Sequence, residues 1–334
     1  MVKQPTVTDI ARLAHVSPST VSRVLTGNSP VHPEKTAAVL AAIEQLNFRP
    51  NLAARALVRG KSMAIGILTQ SIASQFYGEI AQGIEEGLAG TGYQPVFASG
   101  QWQAAEEQAA LHLLIARQID GLILLGGDHP NDGLIAVNAQ IPLIAVGRTI
   151  ADLEQRCIKV ANREGAFQAV KHLIDLGHRR IAHITGFPIH KDTFERRLGY
   201  EEAFAAAGLL PDERLVVEGS YTEQSGLIAL EALLARGIHF SAIFAANDQM
   251  AYGARLGLYR HGLRVPEDVS LVGFDDLIGS AYSTPPMTTV RQNMLEQGRH
   301  AACGMVTLLA GESPNLTPIA TELVIRESTA RIRG

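Results

Sequence analysis

Cysteine is scarce in this chain: Cys157 and Cys303 are the only two among 334 residues. They stand far apart and form no CxxC and no Cys/His ligand spacing, which excludes a disulfide scaffold and leaves no zinc motif. Both are expected as small core residues in a reducing compartment. Long apolar runs are missing as well. None reaches the roughly 18 residues that a membrane span requires, and the N-terminus has no signal-like apolar region. A cytoplasmic protein is expected, neither membrane-spanning nor exported. Enzymatic motifs are missing too: no GxxxxGK followed by Ser or Thr, no complete GxGxxG after a strand, no GxSxG and no HExxH. The densest histidine group, His178, His183 and His190, matches no usual metal spacing and reads as structural or surface. No enzyme, cofactor or metal is expected.

An overall excess of positive charge is likewise absent, with 29 Lys and Arg against 33 Asp and Glu, a net of −4. The charge is unevenly placed. Residues 1–61 hold eight basic and three acidic side chains, net +5, so the remaining 273 carry −9. A basic head on an acidic body suits phosphate contacts by the head alone.

Within that head, "TVTDIARLAHV" reads as a short helix with Thr6 and Asp9 spaced as a capping box. In "VSPSTVSRVLTG", residues 16–27, Ser17 is the N-cap of a second helix and Pro18 its first residue, where a fixed φ suits a helix and a missing N–H is not needed. Val21, Val24 and Leu25 recur at helical spacing as a buried stripe, and Pro18, Ser19, Ser22 and Arg23 fall on the other side. His15, tolerant of a left-handed backbone, occupies the tight turn between them. Two readings fit: a helix-turn-helix whose second helix enters the DNA major groove, or an ordinary helical hairpin. A third helix from about Pro33 to Leu46, with Val39, Ala42, Ile43 and Leu46 on one face, supplies a small core. After it, in "RPNLAARALVRGKS", Pro50 ends one element and Asn51 caps another. The helix-forming run that follows is too short to be stable alone in water. It is either a helix that orders only against something or a plain linker.

The body is long enough for a sizeable core, the whole chain being 46% hydrophobic. Short apolar runs, "MAIGILT", "QPVFAS", "GLILLG" and "PLIAVG", then "RIAHITG", "SAIFAA" and "VSLVGF", alternate with amphipathic helices at 79–89, 104–117, 164–176, 197–207 and 223–236. Alternation of this kind predicts parallel sheets covered on both faces. A dip in apolarity near residues 149–162 divides them into two doubly wound lobes around a cleft, where the carboxyl ends of the strands bind ligand. After about Thr288 the chain reads as strand, helix, strand.

"TVTDIARLAHVSPSTVSRVLTG" followed by "FRPNLAARAL" resembles the DNA-binding head and hinge helix of the lactose/galactose repressor family. "LGHRRIAHITG", "RRLGYEEAF", "AANDQMAYGA" and "VSLVGFDD" resemble its sugar-binding core. The resemblance covers essentially the whole chain. It implies an α/β protein with a helix-turn-helix head and a two-lobed, periplasmic-binding-protein-like core of doubly wound parallel sheets. The implied domains are residues 1–48 for the head, 49–61 for the hinge, 62–160 with about 291–320 for the first lobe, and 161–290 with about 321–330 for the second. The last segment would cross back between the lobes. DNA contacts are implied for Thr6, Ser17, Pro18, Ser19, Thr20, Ser22, Arg23, Asn51, Ala54 and Leu57, the last as a minor-groove wedge. Effector contacts fall on Phe76, Arg196, Tyr221, Asn247 and Asp275, a set with a guanidinium fork, a carboxylate acceptor, an amide and aromatic faces for a pyranose. Core packing remains open for Phe76 and Tyr221, and helix capping for Asp275. Arg148 in "VGRT" is an added cation at a strand end, either selecting an acidic ligand or pairing with an acid of the body. Many relatives have Asp where "VANREGA" has Ala161. "RTIADLEQRC" and "ASGQWQAAEEQAAL" look most like the galactose and β-glucoside branch.

The function this implies is a repressor of a carbohydrate-utilisation operon, bound as a homodimer to palindromic double-stranded operator DNA and released by a small sugar between the lobes. The tail after "TELVIRES" has no leucine heptads, so a dimer rather than a tetramer is expected. The alternative is a co-repressor-dependent or global regulator that answers a nucleobase, a sugar acid or phosphate, or a protein co-effector.

Overall fold

The computed structural model describes residues 5–26, 29–48, 61–188 and 190–332. The chain divides into two compact units, Met1–Ser62 and Met63–Gly334. In the first, α1 (Val7–Leu13), α2 (Pro18–Thr26) and α3 (Pro33–Gln45) follow the expected bounds closely. The Thr6–Asp9 capping box forms, with Asp9 N donating to Thr6 Oγ1 and Thr6 N to Asp9 Oδ2. His15 takes the left-handed conformation, φ 50°. Ile10, Ala11, Ala14, Val21, Val39 and Ala42 make the core of the three helices.

The second unit holds two parallel sheets. The first lobe runs β1 (Ala64–Thr69), α4 (Gln75–Leu88), β2 (Gln94–Ser99), α5 (Ala104–Ala116), β3 (Gly121–Leu125), α6 (Asn131–Asn138), β4 (Leu143–Val146) and β5 (Cys157–Ile158), with strand order β2-β1-β3-β4-β5. β3 and β4 are buried along their whole length, and β1 from its second residue on, because helices cover both faces. Ile65, Ile67, Ile123 and Ile144 pack on one side with Ile80 and Ile84 of α4, and Leu68, Leu122 and Leu124 on the other with Leu111, Leu114 and Leu134. Each such buried side chain contributes about 1.5–3 kcal/mol relative to exposure.

The second lobe runs α7 (Asn162–Asp175), β6 (Ile181–Thr185), α8 (Lys191–Ala206), β7 (Val216–Glu218), α9 (Glu223–Ala235), β8 (Ala242–Ala245), α10 (Asp248–Arg260) and β9 (Ser270–Val272), with strand order β7-β6-β8-β9. A short helix, α11 (Ile278–Tyr282), precedes the closing segment of β10 (Thr289–Arg291), α12 (Met294–Leu309) and β11 (Glu322–Val324). β10 and β11 pair antiparallel and pack on α7 in the second lobe, whereas α12 lies on α4 and against β3 and β4 in the first. The chain therefore passes from lobe to lobe at β5–α7, β10–α12 and α12–β11. Contact between α4 and α12 is close enough to require glycine: a Cβ on Gly298 would stand 2.1 Å from the Ile80 carbonyl oxygen, and one on Gly83 2.1 Å from that of Leu295.

Cys157 is buried, its Sγ accepting from Ile150 N and donating to Leu153 O, both at 3.3 Å. Cys303 departs from expectation and is exposed. On α12 the inward stripe is Met294, Gly298, Ala301, Ala302 and Met305, and Cys303 lies off it. No helix among the described residues is long and apolar enough to cross a membrane.

Candidate functional sites

The head presents a polar face because its apolar one is spoken for. Burial of Val21 against Ile10, Ala11 and Val39 turns Pro18, Ser19, Ser22 and Arg23 outward, where all four are exposed. Ser17 caps α2, its Oγ accepting from Thr20 N at 3.2 Å and lying 2.8 Å from Ser19 Oγ. Thr20 is half-buried and its hydroxyl is 2.9 Å from Ser17 Oγ. Arg23 Nε donates to the Ser19 carbonyl at 3.4 Å, and Thr6 is exposed at the start of α1. Asn51, Ala54 and Leu57 lie outside the described residues.

In the body, a cleft of about 540 Å³ collects residues that follow the carboxyl ends of strands in both sheets: Phe76 after β1, Trp102 after β2, Phe187 and His190 after β6, Tyr221 after β7, Asn247 after β8 and Asp275 after β9. Crevices at strand carboxyl ends are where open α/β sheets bind ligands. Five of the six expected effector residues, Phe76, Arg196, Tyr221, Asn247 and Asp275, line it.

The base of the cleft is built around Arg196 of α8. Its Nε donates to Asn162 Oδ1 at 2.8 Å and its Nη1 to the Ala246 carbonyl, its guanidinium carbon stands 3.8 Å from the Phe274 ring centre, and Asp275 Oδ1 is 3.7 Å from Nη1. Asp275 does not cap α11; it accepts from Gln292 Nε2 at 2.5 Å and bridges, by its backbone, to Arg291. Burial raises the Asp275 carboxyl well above its ordinary range, with Arg196 opposing. Burial also raises Asp192, against the pull of Arg196, and Asp192 accepts from Asn162 Nδ2 at 3.1 Å. Asn247 has a structural duty as well: Oδ1 caps α10 through Met250 N at 2.9 Å, and Nδ2 donates to the Tyr221 carbonyl at 3.2 Å. Ala161 is the N-cap of α7 and supplies no side-chain cap; its neighbour Asn162 serves Arg196 and Asp192 instead.

The mouth is aromatic. Trp102 of the first lobe stacks on His190 of the second, ring centres 4.8 Å apart, and His190 lies parallel to Tyr221 at 5.9 Å. Tyr221 packs where it does because residue 186 is glycine; a Cβ there would come within 2.0 Å of the phenol ring. Its hydroxyl is 2.6 Å from Thr193 Oγ1, and burial pushes its pKa up to about 12. His190 Nε2 also reaches Asp128 Oδ2 across the lobes at 3.1 Å.

Arg148 is a correction: it is not among the residues lining this cleft. Its guanidinium folds back to the Gly127 and His129 carbonyls at 2.8 and 2.9 Å and to Asn131 Oδ1 at 3.0 Å. Burial lowers its pKa, opposed by Glu107 and Asp128. His178 and His183 are core residues, the first hydrogen-bonded to Ser241 and Ser270 and the second stacked between Tyr200 and Phe244. His190 lies at the surface of the cleft, its ring stacked on Trp102. Of the other lining residues, the sequence singles out none of Trp102, Phe187 and Asp192, and names His190 only within the histidine group. Each sits in a loop or at a helix start just past a predicted strand, and that position was the available signal. Among the described residues no cluster of three or more His, Cys, Asp or Glu is arranged to hold a metal ion.

Residues 6–51 match the family of bacterial regulatory proteins, lacI family, and residues 170–329 match the periplasmic binding protein-like domain. The chain is 36% identical over 337 residues to the HTH-type transcriptional regulator CelR of Thermobifida fusca, covering 98% of each. It is 34% identical over 319 residues to the HTH-type transcriptional regulator GalR of Salmonella typhimurium, 95% of this chain and 92% of that protein. Among solved structures, the lac repressor dimer bound to operator and the anti-inducer ONPF superposes with a TM-score of 0.87 at 30% identity, covering 98% of this chain and 100% of that one. A complex of the regulator CelR with cellobiose gives 0.74 at 35% identity, covering 97% and 99%.

Proposed function

The chain belongs to the lacI family of bacterial regulatory proteins, and from that premise we propose that it is a DNA-binding repressor of a carbohydrate-utilisation operon, released by a neutral sugar bound in the cleft. The observation that carries this reading is the base of the cleft. There a buried guanidinium and carboxylate, Arg196 and Asp275, stand 3.7 Å apart beneath aromatic walls. A fork of donors beside an acceptor serves adjacent hydroxyls, and aromatic faces cover the apolar side of a pyranose. The lining sets one guanidinium, Arg196, against three carboxyl groups, Asp192, Glu223 and Asp275. That balance disfavours an acidic or phosphorylated effector, as does the withdrawal of Arg148 into backbone contacts.

In this reading the protein is a homodimer on a palindromic operator. The α2 face with Ser17, Pro18, Ser19, Ser22 and Arg23 enters the major groove, and Thr6 and Thr20 support it. The stretch 49–61 forms a hinge in which Asn51, Ala54 and Leu57 meet the minor groove. Sugar shifts the lobes toward a closed arrangement, and the short hinge segments, which need mutual support to be helical, lose it. A thermal-shift screen of neutral sugars, followed by a gel shift on DNA flanking the gene with each hit, tests this. Sugars that stabilise the protein are expected to free the DNA. Stabilisation by a purine base with tighter DNA binding would replace this reading with the co-repressor one.

A further inference from the structure

We propose that Asp248, which is not among the residues lining the cleft, is a positioning residue of the effector site: it brackets the turn after β9 and so aims the Asp275 carboxyl at Arg196. The inference rests on the sugar-sensing reading above and deepens it.

Asp248 is the first residue of α10 and is fully buried. An acidic side chain in the first turn ordinarily serves the positive end of its own helix. Here Asn247 already caps α10 through Met250 N, and the three donors that reach the Asp248 carboxylate all come from outside the helix. Leu277 N at 2.8 Å and Ser280 Oγ at 2.6 Å donate to Oδ2, and Thr289 Oγ1 of β10 donates to Oδ1 at 2.5 Å. Tyr252 supports the set from α10, its hydroxyl 2.7 Å from Ser280 Oγ. One carboxylate thus ties the start of α10 to the turn before α11 and to the strand that leads back toward the first lobe.

What it holds is a strained turn. Asp275 and Asp276 have φ of 121° and 61°, a region that residues with a Cβ rarely occupy. Asp248 meets this turn at both ends, its own N–H donating to the Phe274 carbonyl at 2.8 Å and its Oδ2 accepting from Leu277 N. The two strained residues lie between those bonds. Asp276 is fastened further by Arg291 Nε and Arg326 Nη2 at 2.8 and 2.6 Å, whereas the Asp275 carboxyl lines the cleft beside Arg196. Strain at a ligand-facing side chain persists only where the surroundings over-determine it. Without the Asp248 carboxylate the Leu277 N–H loses its acceptor, and the turn can relax and carry Asp275 away from Arg196.

The test compares crystal structures of the full-length wild type, Asp248→Ala and Asp248→Asn, and titrates each with galactose, glucose and cellobiose by isothermal titration calorimetry. In Asp248→Ala the turn is expected to leave the positive-φ region, with Asp275 drawn away from Arg196, and the sugar that binds wild type most tightly to bind about tenfold or more weakly. Asp248→Asn, whose amide oxygen can still accept from Leu277 N, is expected to keep the turn and to recover most of the affinity. An alanine variant with Asp275 still 3.7 Å from Arg196, a displaced Asp275 with full sugar affinity, or an asparagine variant as weak as alanine overturns the inference. Should the alanine variant not fold, Thr289→Val and Thr289→Ser decide: valine removes the donor to Oδ1 and is expected to weaken sugar binding, serine to restore it, and equal affinity in both contradicts the inference. If none of the three sugars binds wild type, the sugar-sensing reading falls, and the position of Asp275 in the Asp248→Ala crystal structure alone decides on the role of Asp248.

Discussion

Arg196 Nη1 and Asp275 Oδ1 face each other at 3.7 Å with side chains only 4% and 5% exposed, so each charge depends on the other. Removing one member of a buried pair strands its partner, at a cost of about 3–5 kcal/mol. Asp275→Ala is therefore expected to lower unfolding free energy by that order in urea melts. Asp275→Asn, which keeps an oxygen for Gln292 Nε2, should lose less. An alanine variant as stable as wild type would show that Arg196 is held by Asn162 and Ala246 alone.

On the head, Arg23 is the side chain of α2 best suited to a bidentate contact with a guanine edge, a contact that discriminates by about 1–3 kcal/mol. Arg23→Ala is expected to flatten operator preference while salt-dependent nonspecific binding persists. Competition between operator and random duplex measures it; unchanged selectivity would move recognition elsewhere.

How much of this was legible beforehand follows from local chemistry. The head declared itself through a capping box at Thr6–Asp9, a proline at the first turn of α2 and a 3.6-residue apolar stripe, all signals that act within a few residues. The central strands β1, β3 and β4 were visible as apolar runs because both faces are covered. β5 and β7 are short edge strands of two and three residues, below the length at which a run stands out. The start of α8 at Lys191 rather than near 197 was hidden because its first turn carries Lys191, Asp192 and an exposed Phe194. In the cleft, Arg196 and Asp275 came from a family resemblance, whereas the meeting of Trp102 with His190 across two lobes has no local signature at all. Arg148 misled because a strand end gives the position of a side chain and not its direction.

His183 gives the core a pH dependence. Its Nδ1 donates to the Phe244 carbonyl at 3.0 Å, and burial lowers its pKa to about 3 from an ordinary 6.5. The folded state thus takes up the proton less readily than the unfolded one, so the stability it lends is complete above pH 6.5 and drains away as pH falls toward 3. Between pH 6.5 and 4 that loss should reach about 3 kcal/mol at 1.36 kcal/mol per unit. The stabilities of wild type and His183→Phe from denaturant melts should diverge by that amount across this range. Parallel curves would place the acid sensitivity in other groups.

Gly298 allows α12 to lie against α4, and alanine there would meet the Ile80 carbonyl oxygen at 2.1 Å. Overpacking of this kind costs about 1–3 kcal/mol. Gly298→Ala is expected to lower the thermal midpoint without changing DNA selectivity, and a midpoint equal to wild type would mean that the helices separate freely.

The most direct test is operator affinity by fluorescence anisotropy, for wild type and Asp275→Asn, with and without the sugar that most stabilises the wild type. The expected result is a fall of about tenfold or more in wild-type affinity on adding sugar, the size of a typical coupling free energy. The variant should bind operator as tightly as wild type and show no response. Sugar that leaves wild-type affinity unchanged or raises it, or a variant that responds in full, would contradict the account.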